Sequence, residues 1–514
     1  MNKKKVIPII VIILIATGVS VSLLIVFILP LGGTDDNGPI IANPFISVWN
    51  TTLTSSGSSN SDQVKLPLES SGTYNFSVDW GDGTADRITY WSQAEVLHTY
   101  SSEGVYTVNI TGEINGWCQW MEGDRLKIIE IKQWGELRLG NSGHNFHGCS
   151  NLIITATDIL NLTGISNLNT AFAHCSKIDQ IPTINEWDIS SITDMRWLFI
   201  SAEHFNQYIG DWDVSNVKDM GLMFCKAYDF NQDIGAWDVS SVKDMSNLFY
   251  KAYAFNQDIG AWNVSSVKTM DKMFYNASSF NQDLGDWNVS NVEDMSYMFL
   301  EAGNFNGSIT DWDVSSVTNM YSMFDGATSF NQDIANWDVS NVTDMMYMFK
   351  DTNAFNQDIG GWNVSKVTDM GFMFDGADNF NQDISSWDVS NVGRMLSMFK
   401  GALSFDQNLG SWNVSRVKNM HSMFAGASSF DQDLGTWNVS QVTNMHHMFD
   451  GITLSIANYD SLLLGWSSLT LQDGVTFNAG NSQCTSPGAP ADARQYIVDT
   501  FSWTIYDGDG THNP

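Results

Sequence analysis

Nine histidines and five cysteines are the residues of this chain best suited to metal or nucleophilic chemistry, and their spacing assigns them none. Neither H-E-x-x-H nor C-x-x-C occurs, and there is no G-x-S-x-G nucleophile elbow and no phosphate-cradling loop. His144, His147 and His174 gather near Cys149 and Cys175, a conceivable metal set. The cysteines, however, occupy the same place in successive repeats, in phase with a small buried residue. The histidines then read as surface and capping residues of irregular repeats. Carboxylates are abundant, but an acid/base pair needs two unlike environments, and a strict repeat gives every acid nearly the same one. The expectation is a protein with no catalytic residue and no resident cofactor. Gly81-Asp82-Gly83 and Asp507-Gly508-Asp509-Gly510 could touch Ca²⁺, although a turn is the simpler role for such short Asp-Gly runs.

The elements that would carry any site are set by a fixed beat. Tryptophan returns every 25 residues, at Trp187, Trp212, Trp237, Trp262, Trp287, Trp312, Trp337, Trp362, Trp387, Trp412 and Trp437. Met195 to Met445 and Phe199 to Phe449 keep the same period. A period of this size marks a stacked array in which each unit buries its apolar face only against its neighbours. Within one unit Val217, Met220, Phe224 and Ala227 fall at the spacing of one face of a short helix. Asn216 with Asp219, and Ser241 with Asp244, resemble helix-start pairs. Phe230 to Ile234 is too short for a helix and is expected to supply one strand per rung. Repeating Asn231 and Asp233 should form ladders, the asparagines satisfying one another and the aspartates exposed or holding cations. Phe146-His147-Gly148-Cys149 and Phe172-Ala173-His174-Cys175 carry the pattern back before the first tryptophan of the array, giving thirteen rungs and a rod of roughly 60 Å at ~4.8 Å per rung. Cys149 and Cys175 would stand within disulfide range, with buried free thiols as the alternative.

Ahead of the array, residues 62 to 112 alternate apolar and polar positions between Gly, Ser and Asp turns, as at Tyr74, Phe76, Val78 and Trp80. This reads as a small antiparallel sandwich. Val78-Asp79-Trp80-Gly81-Asp82-Gly83-Thr84, His98-Thr99-Tyr100 and Gly104-Val105-Tyr106-Thr107-Val108 resemble the PKD fold of extracellular proteins, in which a tight Asp-Gly turn joins two strands and a tyrosine packs across the sheet. That resemblance implies spacing or weak adhesion. The repeats resemble the BspA-like leucine-rich-repeat surface proteins. Met323 to Met345 fits, at every fixed position, the variant M-F-x-x-A-x-x-F-N-Q-D-I-x-x-W-D-V-S-N-V-T-D-M, known in bacterial and mycoplasmal surface proteins as a domain of unknown function. After Phe449 the beat is lost, and the remainder resembles the cap that closes such arrays, with a helix over Ala491 to Phe501.

Lys3, Lys4 and Lys5 precede a 24-residue apolar run from Val6 to Leu29. As a helix it would span about 36 Å at ~1.5 Å per residue, enough for a ~30 Å hydrocarbon core. The expectation is an uncleaved signal-anchor with the N-terminus inside, a long cleaved signal peptide being the alternative. The domain plan is a stub and membrane helix over 1–30, a spacer over 31–43, a PKD-like sandwich over 44–118, a solenoid over 119–451 and a cap over 452–514. The fold class expected is a mixed α/β repeat solenoid, one short strand and one short helix per rung. It follows a small all-β domain and a transmembrane helix.

Net charge is −33, from 57 acidic against 24 basic side chains, which argues against nucleic acid as a partner. Sequons at Asn50, Asn75, Asn109, Asn161, Asn263, Asn276, Asn288, Asn306, Asn341, Asn363, Asn413 and Asn438 are possible glycosylation sites. Variation is confined to a few columns, notably Gly221, Ser246, Asp271, Ser296, Tyr321 onward and Cys225, Tyr250, Tyr275, Leu300, Asp325 onward. These columns should face solvent, and Tyr228, Tyr250, Tyr253, Tyr275 and Tyr321 are the candidate partner-facing residues. The functional expectation is a single-pass protein of the cell membrane whose extracellular solenoid serves adhesion to a protein or glycan. A purely structural spacer is the first alternative, and a surface polysaccharide hydrolase the second.

Overall fold

The computed structural model describes residues 43–508 and the backbone of two short strands, β1 (Ala16–Thr17) and β2 (Ser20–Val21). Residues 1–42 and 43–514 form separate units. In the first, β1 and β2 pair antiparallel inside the apolar run expected to be one helix. Among the described residues no helix is long and apolar enough to cross a membrane, and the rest of the expected signal-anchor lies outside them. The membrane helix, and the single-pass membrane location drawn from it, are therefore corrected.

The second unit begins with strands β3 (Phe45–Asn50), β4 (Gln63–Lys65), β5 (Leu68–Asp79), β6 (Ala85–Ile88), β7 (Leu97–Thr99), β8 (Val105–Trp117), β9 (Ile128–Gln133), β10 (Leu137–Arg138) and β11 (Ile153–Ile154). One sheet runs β11-β9-β3-β8-β5-β6, with β10 beside β8, while β4 and β7 pair separately. On β5, Tyr74, Phe76 and Val78 are buried and Asn75, Ser77 and Asp79 exposed, the alternation a one-sided sheet requires. The turn from β5 to β6 needs glycine at Gly81, where φ is +80° and a Cβ would lie 2.4 Å from the Thr107 carbonyl oxygen. Tyr100, just after β7, donates from its hydroxyl to the Trp80 carbonyl at 3.1 Å, which ties that segment to the end of β5. The parallel pairs β10 on β8 and β11 on β9 then convert the sheet into the base of the stack.

Among the described residues the rungs contain no α-helix, only a single 3-10 turn at Ile184–Glu186, which overturns the expected one-helix, one-strand unit. Met220, Leu222, Phe224 and Lys226 donate their N–H groups to the Asp244, Ser246, Leu248 and Tyr250 carbonyls of the next rung. Met223, Cys225 and Ala227 donate three residues back within their own rung. An α-helix would direct every one of these donors along its own axis. The alternation is possible because Leu222 and Lys226 take left-handed φ values of 57° and 58°, and the equivalent residues of other rungs do the same. Parallel bridges such as Asp219 to Asp244 and Asp244 to Thr269 place the backbone ladder here, not at Phe230 to Ile234.

The apolar columns form one core running from Phe45 to Ile505. Phe224 stacks on Phe230 of its own rung at 3.9 Å and on Phe249 of the next at 5.8 Å. Trp212 and Trp237 stack at 6.3 Å and 5°. From Trp212 onward each indole also donates backwards, Trp237 Nε1 to the Ile209 carbonyl at 3.1 Å. Cys149 and Cys175 are fully buried free thiols in the column that later holds alanine.

The last rung is closed by α1 (Ile456–Ser467), β12 (Thr476–Asn478), α2 (Ala489–Phe501) and β13 (Thr504–Tyr506), the two strands paired in parallel. Phe477 packs on Phe449 at 6.0 Å. The Arg494 guanidinium and the Tyr459 hydroxyl both bond the buried Asp507 carboxylate.

Candidate binding face

With Met220, Met223, Phe224 and Ala227 turned into the core, the residues between them are left on one outer face of the stack, Leu222 and Lys226 with some exposure and Gly221 and Cys225 covered by their neighbours. The columns that break the repeat therefore lie side by side. Tyr228 and Tyr253 stack at 5.0 Å, and Tyr250 and Tyr275 at 4.5 Å. The Lys251 ammonium lies 5.5 Å from the Tyr250 ring and 5.9 Å from the Tyr275 ring, a cation–π arrangement. Tyr321 continues the face between Tyr297, 5.0 Å away, and Tyr347, 5.5 Å away. Tyr347 stacks on Phe372 at 4.6 Å, and Lys272 lies 4.7 Å from the Tyr297 ring.

All five tyrosines selected from the sequence thus lie on this face, in two groups. Tyr297, Tyr347 and Phe372 were missed. They belong to the column Leu222, Asn247, Lys272, Tyr297, Ser322, Tyr347, Phe372, which keeps the beat no better than its neighbour and could have been found by that irregularity. The expectation that the Cys225 column faces solvent needs correction. Cys225 is 4 % exposed and packs with Ala173 and Ile200, while Tyr250, Tyr275 and Asp325 are half-buried.

Burial and the neighbouring Tyr297 and Tyr347 push the Tyr321 hydroxyl up to about 12, so it remains a neutral donor at physiological pH. Further along the Cys225 column, Asp325, Lys350, Asp375 and Lys400 alternate in charge, with Lys350 Nζ 3.5 Å from Asp325 and Lys400 Nζ 4.0 Å from Asp375. Burial pushes both carboxyls up to about 6, against the opposing pull of the lysines. His421, His446 and His447 end the face, with ring separations of 3.8 to 5.9 Å.

The polar ladders differ from expectation in their bonding. Asn231 Oδ1 accepts from the Asn256 backbone N–H and from Gln257 Nε2, each at 2.9 Å, so glutamine and backbone satisfy the asparagines. Asp233 is exposed and accepts the Gly235 N–H at 3.0 Å. Instead of starting a helix, Asn216 donates to the Ser190 carbonyl of the preceding rung and Asp219 accepts the Gly221 N–H. Of the sequons, Asn75, Asn263, Asn288, Asn306, Asn341, Asn363, Asn413 and Asn438 are exposed, and Asn50, Asn109, Asn161 and Asn276 are half-buried.

Among the described residues no three His, Cys, Asp or Glu side chains stand where they could hold a metal. His144, His147 and His174 stack on one another at 5.5 and 5.7 Å, while Cys149 and Cys175 are turned into the core. Asp82, in one of the two Asp-Gly turns, is taken by Thr84 and His98. Burial raises its carboxyl, but these hydrogen bonds outweigh burial and hold it at about 2.

A family described as Mycoplasma protein of unknown function, DUF285, matches residues 166–287, 276–377 and 355–461. Together these stretches cover more than half of the 514 residues, and the chain belongs to that family. No curated protein matches it.

Proposed function

We propose that this DUF285 repeat protein is a non-catalytic binding protein that engages a protein or glycan partner through the tyrosine and lysine face, in an adhesive role. The observation that carries this reading is the contrast between columns. Core positions repeat rung after rung, whereas aromatic and cationic side chains collect where the repeat is broken. Tyrosine gives large contact area with few rotatable bonds and a polar tip, as binding surfaces use it. The resemblances to BspA-like arrays and to PKD-like turns support the same reading. The −33 charge sets nucleic acid aside. The two raised carboxylates occupy equivalent rungs and each faces a lysine, which does not supply the unlike pair a glycosidase needs.

A spacer role is the second reading, favoured by the fact that the stacked rings cover one another's faces. A screen of the chain against glycans and matrix proteins, with and without Ca²⁺, separates the two. Binding that is lost on combining Tyr250→Ala, Lys251→Ala and Tyr275→Ala supports recognition by this face. The spacer reading prevails if nothing binds in either condition.

A further inference from the structure

Between β8 and β9 the chain makes a turn closed by a 2.8 Å hydrogen bond from the Glu122 N–H to the Gln119 carbonyl. Its two central residues, Trp120 and Met121, have φ values of 47° and 56°. Such a backbone ordinarily takes Asn-Gly, because side chains crowd the carbonyl in the left-handed region. Here two bulky apolar residues occupy it, and both remain exposed, Met121 at 43 %. Trp120 is 57 % exposed, with one face stacked on His144 at 4.2 Å. Strain that holds a large side chain out in solvent points to a use for that side chain.

The facing loop presents a second indole. Gln93 fastens it, Oε1 accepting the Thr89 and Tyr90 N–H groups and Nε2 donating to the Arg87 carbonyl. Trp91, next in the loop, is 37 % exposed. Trp91 and Trp120 line one cavity of about 620 Å³, together with Lys65, Gln93, Gln119 and Glu122, and roughly 300–1,000 Å³ is the usual range for ligand pockets. Gln119 is only 4 % exposed, and its buried Nε2 has no hydrogen-bond partner among the described residues. A native buried donor without a partner calls for an explanation, and here it lines a cavity.

We propose that this groove binds a saccharide. The C–H face of a pyranose packs on an exposed indole, and its hydroxyls are at once donors and acceptors. They can accept from the Gln119 amide and donate to the exposed Glu122 carboxylate. A purely apolar ligand would leave the Gln119 donor unpaired, and a proline-rich peptide offers carbonyl acceptors but few N–H groups for Glu122. The groove shares no residue with the tyrosine face, so either site can fail without the other.

Calorimetric titration of the full chain with oligosaccharides built on glucose, galactose, mannose and N-acetylglucosamine tests the assignment. Saturable binding of at least one is expected, weakened by about tenfold or more in Trp91→Ala and in Trp120→Gly. Trp91 is a surface residue, and glycine relieves the left-handed turn, so both variants should keep the parent melting temperature. Combining Tyr250→Ala with Tyr275→Ala should leave this binding unchanged. The proposal is overturned if no saccharide binds, if binding survives both tryptophan changes, or if a proline-rich peptide alone occupies the groove.

Discussion

Replacing Asp325 by Asn should stabilise its rung at neutral pH, although it deletes a visible ion pair with Lys350. The carboxyl is raised from its ordinary 3.8 to about 6, first by burial, with Asp351 and Glu301 adding to the effect and Lys350 only partly offsetting it. Its side chain is 18 % exposed, and that of Asp375, raised equally beside Lys400, is 14 % exposed. About two pKa units correspond to about 3 kcal/mol at ~1.36 kcal/mol per unit. The folded state holds the proton more tightly than the unfolded state. The stability due to each group is therefore complete below about pH 4 and lost as pH rises through about 6. Asparagine cannot ionise, so the variant should recover up to about 3 kcal/mol at pH 7.5 and almost nothing at pH 4. Lys350 also bonds Asp351, so it has a second carboxylate partner. Amide exchange at Gly326, whose N–H donates to the Lys350 carbonyl at 2.7 Å, reads the opening of this rung. Slower exchange in Asp325→Asn than in the parent at pH 7.5, converging at pH 4, is expected once intrinsic rates are divided out. Faster exchange at pH 7.5 would refute the reasoning, because it would mean that the Lys350 attraction exceeds the burial cost.

The first rungs should respond to acid with the opposite sign. Burial, reinforced by His174, His144 and Arg125, lowers His147 from 6.5 to about 4, so stability is lost as pH falls through that window. Exchange at Gly148, bonded to the Ala173 carbonyl, should quicken below pH 6.5, and His147→Asn should flatten that slope. In mid-stack, Phe324 is fully buried between Phe299 and Phe349, each 5.7 Å away. Phe324→Ala should cost about 3–5 kcal/mol and, because rungs touch only their neighbours, split urea unfolding into two steps; a loss below about 1 kcal/mol with one sharp transition would contradict this.

What could be read in the sequence follows from where each constraint acts. The columns of Trp212, Phe224 and Met220 must present the same shape at every rung, so their burial was legible as a period. The irregular columns were legible as a face for the same reason, which is how Tyr250 and Tyr275 were found together. The rung backbone was misread because Val217, Met220, Phe224 and Ala227 have helical spacing. A segment alternating right- and left-handed residues turns inward at nearly the same interval. Lys226 and Lys251 gave no warning, since lysine does not announce a positive φ. A warning did stand further along. The same column becomes Gly326, Gly376, Gly401, Gly426 and Gly451, each at positive φ. Glycine recurring there, in what would be a helix interior, argues for a left-handed position common to all rungs. The end of the array shows the converse. The beat asks for an indole at residue 462, where the sequence has leucine. Trp437 Nε1 donates to the Leu409 carbonyl, and the next carbonyl in line, Leu434, is taken by Trp466 at 3.2 Å from helix α1. The period stops in the sequence but continues in space, because what the last rung needs is an indole N–H at that carbonyl, whichever element delivers it.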